Sequence, residues 1–338
     1  MKTATPAMAR AINDRLALDL LLERGPLTAP QLRSLTGLSR PTVSDLIERL
    51  MDGGLIEITG EYGEDRRGPN ARLYGLVAGR AHVAGVDVRR EAVTVRVADL
   101  AGHVVGSAVR AVAGDLVEVV ADVVTEAAAG RTLDTVVIGA PGLVDPRTGE
   151  LVSGNDAQGR RPGLMAALRQ RLGVPAVLEN EVNLAAVAEL RTGAALGSAD
   201  FVLLWLDDGV GAAVVLDGRL RRGASGGAGE VGFLEVDGTD FCHLVEAAAV
   251  RDLDRAELAR RIAKGAFAFA MILDPGLIVL GGRTGHEGGD ELAALVAERV
   301  RESSPAPTEI RASAVEGNAV LQGAVLTALD LTRDRIFG

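Results

Sequence analysis

The sequence predicts an α/β protein in which a winged helix-turn-helix precedes a larger body of two successive α/β lobes. Residues 27–76 contain two short amphipathic helical patterns, separated by a glycine and followed by two strand-like segments. From residue 82 the pattern changes to alternating and continuous apolar runs, and the order of strands and helices then repeats once. Such a repeat is typical of a duplicated α/β fold with a cleft between its lobes.

The winged segment begins with signals for two helices. A first helix is predicted at residues 11–24. Thr28 followed by Gln31 is a capping-box sequence, which predicts the start of a second, short helix. Leu32 and Leu35 are predicted to be the inward side chains of that second helix.

A third helix follows a glycine turn. Gly37 supplies the turn, and Ser39 is a good N-cap for the helix after it. Helical spacing predicts one buried stripe, which consists of Val43, Leu46, Ile47 and Leu50. The residues left facing outward are Arg40, Thr42, Ser44, Asp45 and Arg49.

The outward face of this third helix predicts DNA binding. Arginine, threonine and serine in the first exposed turn of such a helix reach base edges or phosphates in a major groove. The predicted contacts on the helix are Arg40, Thr42, Ser44 and Arg49. Strands at Leu55–Thr59 and Arg72–Leu76 are predicted to form the wing, with Arg66 and Arg67 at its tip for phosphate or minor-groove contact. A helical interaction domain with solvated polar faces is the alternative.

Composition limits the location and the partners. The net charge is −10, but residues 1–80 hold 11 Lys and Arg against 10 Asp and Glu. Because the acidic remainder would repel DNA, residues 1–80 are the plausible contact with DNA. Cys242 is the only cysteine, which excludes an internal disulfide. No signal peptide is visible, and the apolar run Ala266–Leu280 is broken by Asp274 and Pro275. We therefore expect a cytoplasmic protein that does not contact membranes.

The body is predicted to consist mostly of short elements. Residues 82–112 predict three strands, and Thr135–Ala140 predicts a buried strand. In the second half, strands are predicted at Phe201–Leu206 and Gly211–Leu216, and one long helix at about Ala247–Ile272. The domain boundaries follow as 1–78 for the winged helix-turn-helix, 79–195 for the first lobe, completed by a C-terminal helix at 318–338, and 196–317 for the second lobe.

Several motifs of the body resemble the ROK family, which contains repressors, open reading frames and kinases. These motifs are Ala140-Pro141-Gly142, Glu179-Asn180, Asn183-Leu184-Ala185-Ala186, Gly229-Glu230-Val231-Gly232, and Asp274-Pro275 followed by Gly281-Gly282. The resemblance covers nearly the whole chain and implies a two-lobed actin-like or sugar-kinase-like (ribonuclease H-like) α/β fold. The helix-turn-helix is similar to that of the family's repressor branch.

The resemblance also shows where this chain departs from the family's kinases. Their first turn, Asp-x-Gly-Gly-Thr, is here Asp87–Glu91 without glycine, and their second turn, Gly-Thr-Gly-x-Gly, is Asp207–Gly211 with two carboxylates. Their catalytic aspartate is replaced by Glu181. Together these departures predict that the chain binds no ATP or other cofactor and is not an enzyme, with a sugar or amino-sugar kinase as the alternative.

The family's sugar-binding pattern is half retained. Asn180, Glu230 and Glu246 match it, Glu181 stands in place of its aspartate, and Asn155 lies in a loop that often adds a polar contact. These five residues are the predicted ligand-binding set, since carboxylates and amides recognise sugar hydroxyls. The other interpretation, that they now only cap and connect loops, stays open.

The zinc site implied by the resemblance is predicted to be lost. The family holds zinc with a histidine and three cysteines, whereas this chain has Phe233 and Cys242 at that place. His243 adjoins Cys242, but two neighbouring ligands do not make a tetrahedral site. We therefore expect no metal.

The combined expectation is a sequence-specific DNA-binding transcriptional regulator, favoured as a repressor of carbohydrate-related genes. Its partners would be double-stranded DNA with a palindromic operator and a sugar or sugar-derivative effector. A palindromic operator requires a homodimer or homotetramer. A regulator that works without any ligand is a further alternative.

Overall fold

The computed structural model describes residues 6–62, 70–153 and 163–337, and it confirms the predicted fold class. Residues 6–76 form what we call the head, a three-helix unit with an antiparallel sheet of order β1-β3-β2. Its elements are α1 (Pro6–Arg24), β1 (Leu27–Thr28), α2 (Ala29–Thr36), α3 (Arg40–Asp52), β2 (Ile56–Tyr62) and β3 (Ala71–Leu76). A single 3₁₀ turn at Ala78–Arg80 leads into the body.

The first lobe contains a mixed five-stranded sheet of order β10-β7-β4-β5-β6. Its elements are β4 (His82–Val88), β5 (Ala92–Asp99), β6 (Val104–Ala111), α4 (Leu116–Ala128), β7 (Thr135–Ala140), β8 (Leu143–Val144), β9 (Leu151–Ser153), α5 (Leu164–Leu172), β10 (Ala176–Asn180) and α6 (Glu181–Thr192). Strands β4, β7 and β10 are parallel, whereas β4, β5 and β6 form an antiparallel meander.

The second lobe repeats this plan in a sheet of order β13-β12-β11-β16-β17. Its elements are β11 (Phe201–Leu206), β12 (Val210–Leu216), β13 (Arg219–Arg221), β14 (Glu235–Val236), β15 (Thr239–Asp240), α7 (Phe241–Val245), α8 (Ala247–Val250), α9 (Arg255–Leu273), β16 (Leu277–Gly281), α10 (Gly282–Ser303) and β17 (Glu309–Ala312). Again the first three strands are antiparallel and the later two are parallel to the first. The predicted duplication is therefore confirmed.

The last helix, α11 (Ala319–Phe337), returns to the first lobe and packs between its sheet and α6. The approach of α11 to α6 is close because glycine stands at the crossing. A Cβ placed at Gly323 would lie only 1.8 Å from the carbonyl oxygen of Leu184. On the sheet side, a Cβ at Gly85 of β4 would lie 2.7 Å from the backbone nitrogen of Val325.

The head is packed against the body by a shared apolar cluster. Leu18 of α1, Leu32 of α2 and Leu46 of α3 belong to the same cluster as Leu100 and Phe337 of the body. Polar contacts extend this interface, since Arg15 donates to Asp334 at 2.8 Å and its guanidinium lies 5.4 Å from the ring centroid of Phe337. The far end of α11 is thus part of the support of the head.

Two local predictions were wrong. The long helix predicted at Ala247–Ile272 is interrupted: α8 ends at Val250, and α9 begins after Asp254, whose side chain caps it by accepting from the backbone nitrogen of Glu257 at 2.8 Å. Leu35 is 38% exposed, although Leu32 is buried as predicted. The turn residue Leu38 packs against the head cluster in its stead.

No helix in the described part of the chain is long and apolar enough to cross a membrane.

Candidate DNA-binding surface and interlobe cleft

The helix-turn-helix is built by the predicted local signals. Thr28 and Gln31 form the capping box: the Gln31 side chain accepts from the backbone nitrogen of Thr28 at 2.8 Å, and Thr28 Oγ1 accepts from the backbone nitrogen of Gln31 at 3.4 Å. Gly37 ends α2 in the left-handed region at φ 70°, which favours glycine. Ser39 then caps α3 by accepting from the backbone nitrogen of Thr42. These caps fix the angle between α2 and α3.

The predicted stripe of α3 is buried, so its opposite face is available. Val43, Leu46, Ile47 and Leu50 are all at most 6% exposed. Arg40 and Ser44 are exposed in the first turns of the helix. This is the surface that a helix-turn-helix presents to a major groove.

The other two predicted contacts of α3 are engaged within the head. The Thr42 hydroxyl lies 2.8 Å from Ser39 Oγ and is half-buried. Arg49 Nη2 donates to Asp14 Oδ1 of α1 at 2.6 Å, and this hydrogen bond raises the pKa of Arg49. Contact of Thr42 and Arg49 with DNA therefore stays a prediction, and in this structure both side chains stabilise the head.

Strands β2 and β3 pair antiparallel as the predicted wing, with a bulge between Ile58 and Gly60. Both strands are longer than predicted, reaching Tyr62 and beginning at Ala71. Arg66 and Arg67 lie outside the described residues.

An ion-pair cluster occupies the cleft beside the first turn of the body. Asp87 is 1% exposed and accepts from Arg89 Nε at 3.0 Å and from Asn318 Nδ2 at 2.7 Å. Arg89 Nη1 also lies 2.9 Å from Glu181 Oε2, but that oxygen receives no hydrogen bond within the described residues. Burial acts to lower the pKa of Arg89, yet Glu181 and Asp87 raise it overall, so the guanidinium stays charged.

Glu181, one of the predicted ligand-binding residues, lies in this cluster. Burial raises the pKa of its carboxyl group; Arg89 opposes this change, while the neighbouring Asp87 and Asp207 reinforce it. Glu181 is thus a buried carboxyl group held beside the Arg89 guanidinium, with one oxygen that accepts no hydrogen bond within the described residues.

Asn180 has a structural role that is already fulfilled. Its Oδ1 accepts from the backbone nitrogens of Val182 and Asn183 at 2.8 and 3.1 Å, which caps α6, and its Nδ2 donates to the carbonyl oxygen of Gly142 at 2.9 Å. Every hydrogen-bonding group of this amide except one N–H of Nδ2 is thus used.

Two further predicted ligand residues, Glu230 and Glu246, lie on the second lobe. Glu230 is half-buried, and burial raises the pKa of its carboxyl group. Glu246 lies between α7 and α8, with Cys242 Sγ 4.0 Å from its Oε2. No hydrogen bond within the described ranges joins Glu230 or Glu246 to Asn180 or Glu181. Asn155 lies outside the described residues.

An ion pair that the sequence analysis did not identify joins the lobes. Glu179, at the end of β10, accepts from Arg222 of the second lobe at 2.7 Å and from Asn183 Nδ2 at 2.9 Å. The Glu179 side chain is only 7% exposed, whereas that of Arg222 is 44% exposed. The arginine-rich run that follows β12 in the sequence was the only available signal for this contact.

The second turn of the body is closed by an arginine of the chain itself. Asp207 and Asp208 both pair with Arg283 Nη2, at 3.1 and 3.3 Å. Because two carboxylates and their arginine partner occupy this turn, its residues do not fit the phosphates of a nucleotide. The residues at the position of the family's zinc site do not fit a metal either, since Phe233 is 74% exposed and offers no ligand atom.

Comparison with known proteins identifies both parts of the chain. Residues 83–248 match the model of the ROK family, and residues 12–68 match that of the MarR family. The xylose repressor of Bacillus subtilis is 26% identical over 247 residues, which cover 70% of this chain and 64% of that protein. The matched stretch therefore spans less than two thirds of this relative.

Solved structures agree in fold. A ROK-family transcriptional regulator, described as a homologue of the Escherichia coli MLC protein, aligns over 97% of this chain and 99% of its own, with a TM-score of 0.78 and 18% identity. The ROK hexokinase from Thermus thermophilus covers 75% of this chain and 99% of its own, with a TM-score of 0.64 and 26% identity. Residues 83–248 therefore match the ROK family, and a MarR-type helix-turn-helix precedes them.

Proposed function

We propose that this protein is a sequence-specific DNA-binding transcriptional regulator, acting as a repressor. The observation that carries the proposal is the first turn of α3, where Arg40 and Ser44 are exposed while the opposite stripe is buried. Arg40 is the proposed reader of base edges, because arginine makes bidentate contacts to guanine. The similarity to a xylose repressor supports the same function.

The proposed DNA partner is a palindromic operator, bound by a homodimer or homotetramer. Symmetry places two copies of α3 in successive major grooves, one helical turn or a multiple apart. Light scattering at the concentration of the binding assay tests the oligomeric state, and a purely monomeric protein on DNA would contradict the proposal.

The proposed role of the body is regulation without phosphoryl transfer. Asp207, Asp208 and Arg283 close the turn at which nucleotide phosphates would be held, which argues against kinase activity. The carboxyl of Glu181, with its raised pKa, is the proposed anchor for a sugar or sugar-derivative effector of carbohydrate-related genes. An ADP-release assay over a panel of hexoses separates the two functions, and turnover abolished by Glu181→Gln would establish a kinase instead.

Selection of bound fragments from random DNA tests the principal proposal. We expect an enriched inverted repeat with half-sites about 10 base pairs apart or a multiple of that spacing. If unrelated sequences are recovered with equal affinity, the head binds DNA without sequence specificity and the proposal is wrong. The same protein, screened against sugars by thermal shift, tests whether the cleft binds an effector, because a ligand of the native state raises the melting temperature.

A further inference from the structure

The first lobe contains a cavity on the side of its sheet that carries α4 and α5. The cavity has an accessible volume of about 50 Å³. Its lining comes from β4, β7, β9 and β10, from α4 and α5, and from adjoining loops. It includes Arg89, Arg90, Val112, Val120, Ile138 and Leu168.

The chemistry of this cavity differs from that of the cleft. Its floor is apolar and deeply buried, with Val120, Ile138 and Leu168 each at most 2% exposed. No carboxylate or amide side chain is among its described lining residues. Since sugar hydroxyls need such groups for recognition, the cavity is suited to a hydrocarbon body and unsuited to a sugar.

Two arginines give this apolar cavity a charged opening. Arg89 is already compensated by Asp87 and Glu181. Arg90 is exposed, and no hydrogen bond or ion pair to its side chain is found within residues 6–62, 70–153 and 163–337. The opening therefore carries one positive charge that lacks a partner in the described structure.

We propose that this cavity binds a small carboxylic acid with an aryl or medium-length alkyl body. The body fills the space between the sheet and helices α4 and α5, and the carboxylate pairs with Arg90. Apolar cavities lined by leucine and valine stay dry and accept apolar ligands, which supports occupation by hydrocarbon. An effector role for such an acid rests on the proposed regulatory function. Binding of the acid to the cavity does not depend on that function.

Calorimetry with the full chain and a homologous series of acids tests the binding. Butanoate, hexanoate and octanoate should bind with affinity rising about fourfold per added methylene, because each buried CH₂ contributes about 0.8 kcal/mol. An anion held only by surface charge would show no dependence on chain length. Equal affinity across the series would therefore overturn the proposal.

Substitutions at the opening test the role of the charge. Arg90→Gln should weaken octanoate binding by about 10- to 100-fold, the range expected for a hydrogen bond to a charged group. It should leave octanamide binding unchanged. Arg219→Gln, an equal change of charge at an exposed site on β13, is the matched control and should have no effect. Equal losses from both substitutions, or no loss from Arg90→Gln, would refute the assignment of Arg90.

Filling the cavity provides a second line of evidence. Val120→Phe places a ring in the floor of the cavity and should abolish octanoate binding. Val112→Trp, at the half-buried rim, should also abolish binding and is less disruptive to folding. Unchanged binding in a folded Val112→Trp protein would place the ligand elsewhere. All these measurements omit DNA, so a negative result refutes the cavity proposal without bearing on the proposed DNA binding. Conversely, if no operator is selected from random DNA, the cavity proposal is unaffected.

Discussion

Replacing Arg222 with alanine should loosen the contact between the lobes and destabilise the body. The substitution removes the charge partner of Glu179, whose side chain is 7% exposed. Breaking a fully buried ion pair in this way costs about 3–5 kcal/mol. Here the cost should be smaller, because the Arg222 side chain is 44% exposed and Glu179 keeps the hydrogen bond from Asn183 at 2.9 Å. We expect a loss of about 1.5–3 kcal/mol in the free energy of unfolding, the value of a hydrogen bond to a charged group.

The neighbouring Arg221 provides a matched control. Its pair with Asp217 lies within one hairpin of the second lobe, and both side chains are exposed. Arg221→Ala should therefore change the free energy of unfolding by less than about 0.5 kcal/mol. Adding Glu179→Gln to Arg222→Ala should recover part of the loss, because the uncompensated charge is removed as well.

Urea unfolding followed by fluorescence measures the effect on stability, since Trp205 is the only tryptophan and lies buried in β11. Small-angle scattering measures the separation of the lobes, and the radius of gyration should rise in Arg222→Ala alone. Equal behaviour of Arg221→Ala and Arg222→Ala in both measurements would refute the reasoning.

Three further predictions concern DNA binding and pH. Arg40→Ala should weaken operator binding by about 1–3 kcal/mol with little effect on random DNA; equal losses on both in a gel-shift titration would indicate a phosphate contact instead. Arg66→Ala combined with Arg67→Ala should weaken binding to all sequences and flatten the dependence of affinity on salt, and an unchanged slope would remove the wing from the interface. Because the folded-state pKa of Glu181 is raised above 4.5, stability should fall as pH rises from that value through the folded-state pKa, and Glu181→Gln should flatten this decline in urea titrations at several pH values.

Local signals in the sequence predicted the head and the order of the lobes well. The capping box of Thr28 and Gln31 and the buried stripe of α3 depend on neighbours within one or two helical turns, so spacing alone determines them. The break between α8 and α9 was missed although the sequence carries a helix-start signal there, Asp254 followed three positions later by Glu257. Leu35 was misplaced because its burial depends on Leu38, which the turn brings into the head cluster.

The ion pairs of the cleft were beyond the reach of sequence patterns. Glu179 and Arg222 are 43 positions apart, and Asp87 and Asn318 are 231 positions apart. The first contact depends on how the two lobes meet, and the second on the return of α11 to the first lobe. Glu181 was predicted by its place in a motif, but Arg89 was not predicted to be its counter-ion within the cleft.

The glycine at the crossing of α6 and α11 lets these two helices pack backbone against backbone, and together they span from the cleft to the head. Gly323 brings α11 against the backbone at Leu184 with no side chain between them, so a larger residue there would force the two helices apart. One end of this joined pair holds Glu181 in the cleft, and the other end holds Phe337 beneath the head. The two helices therefore form one continuous packed connection between Glu181 in the cleft and the apolar cluster that supports α3.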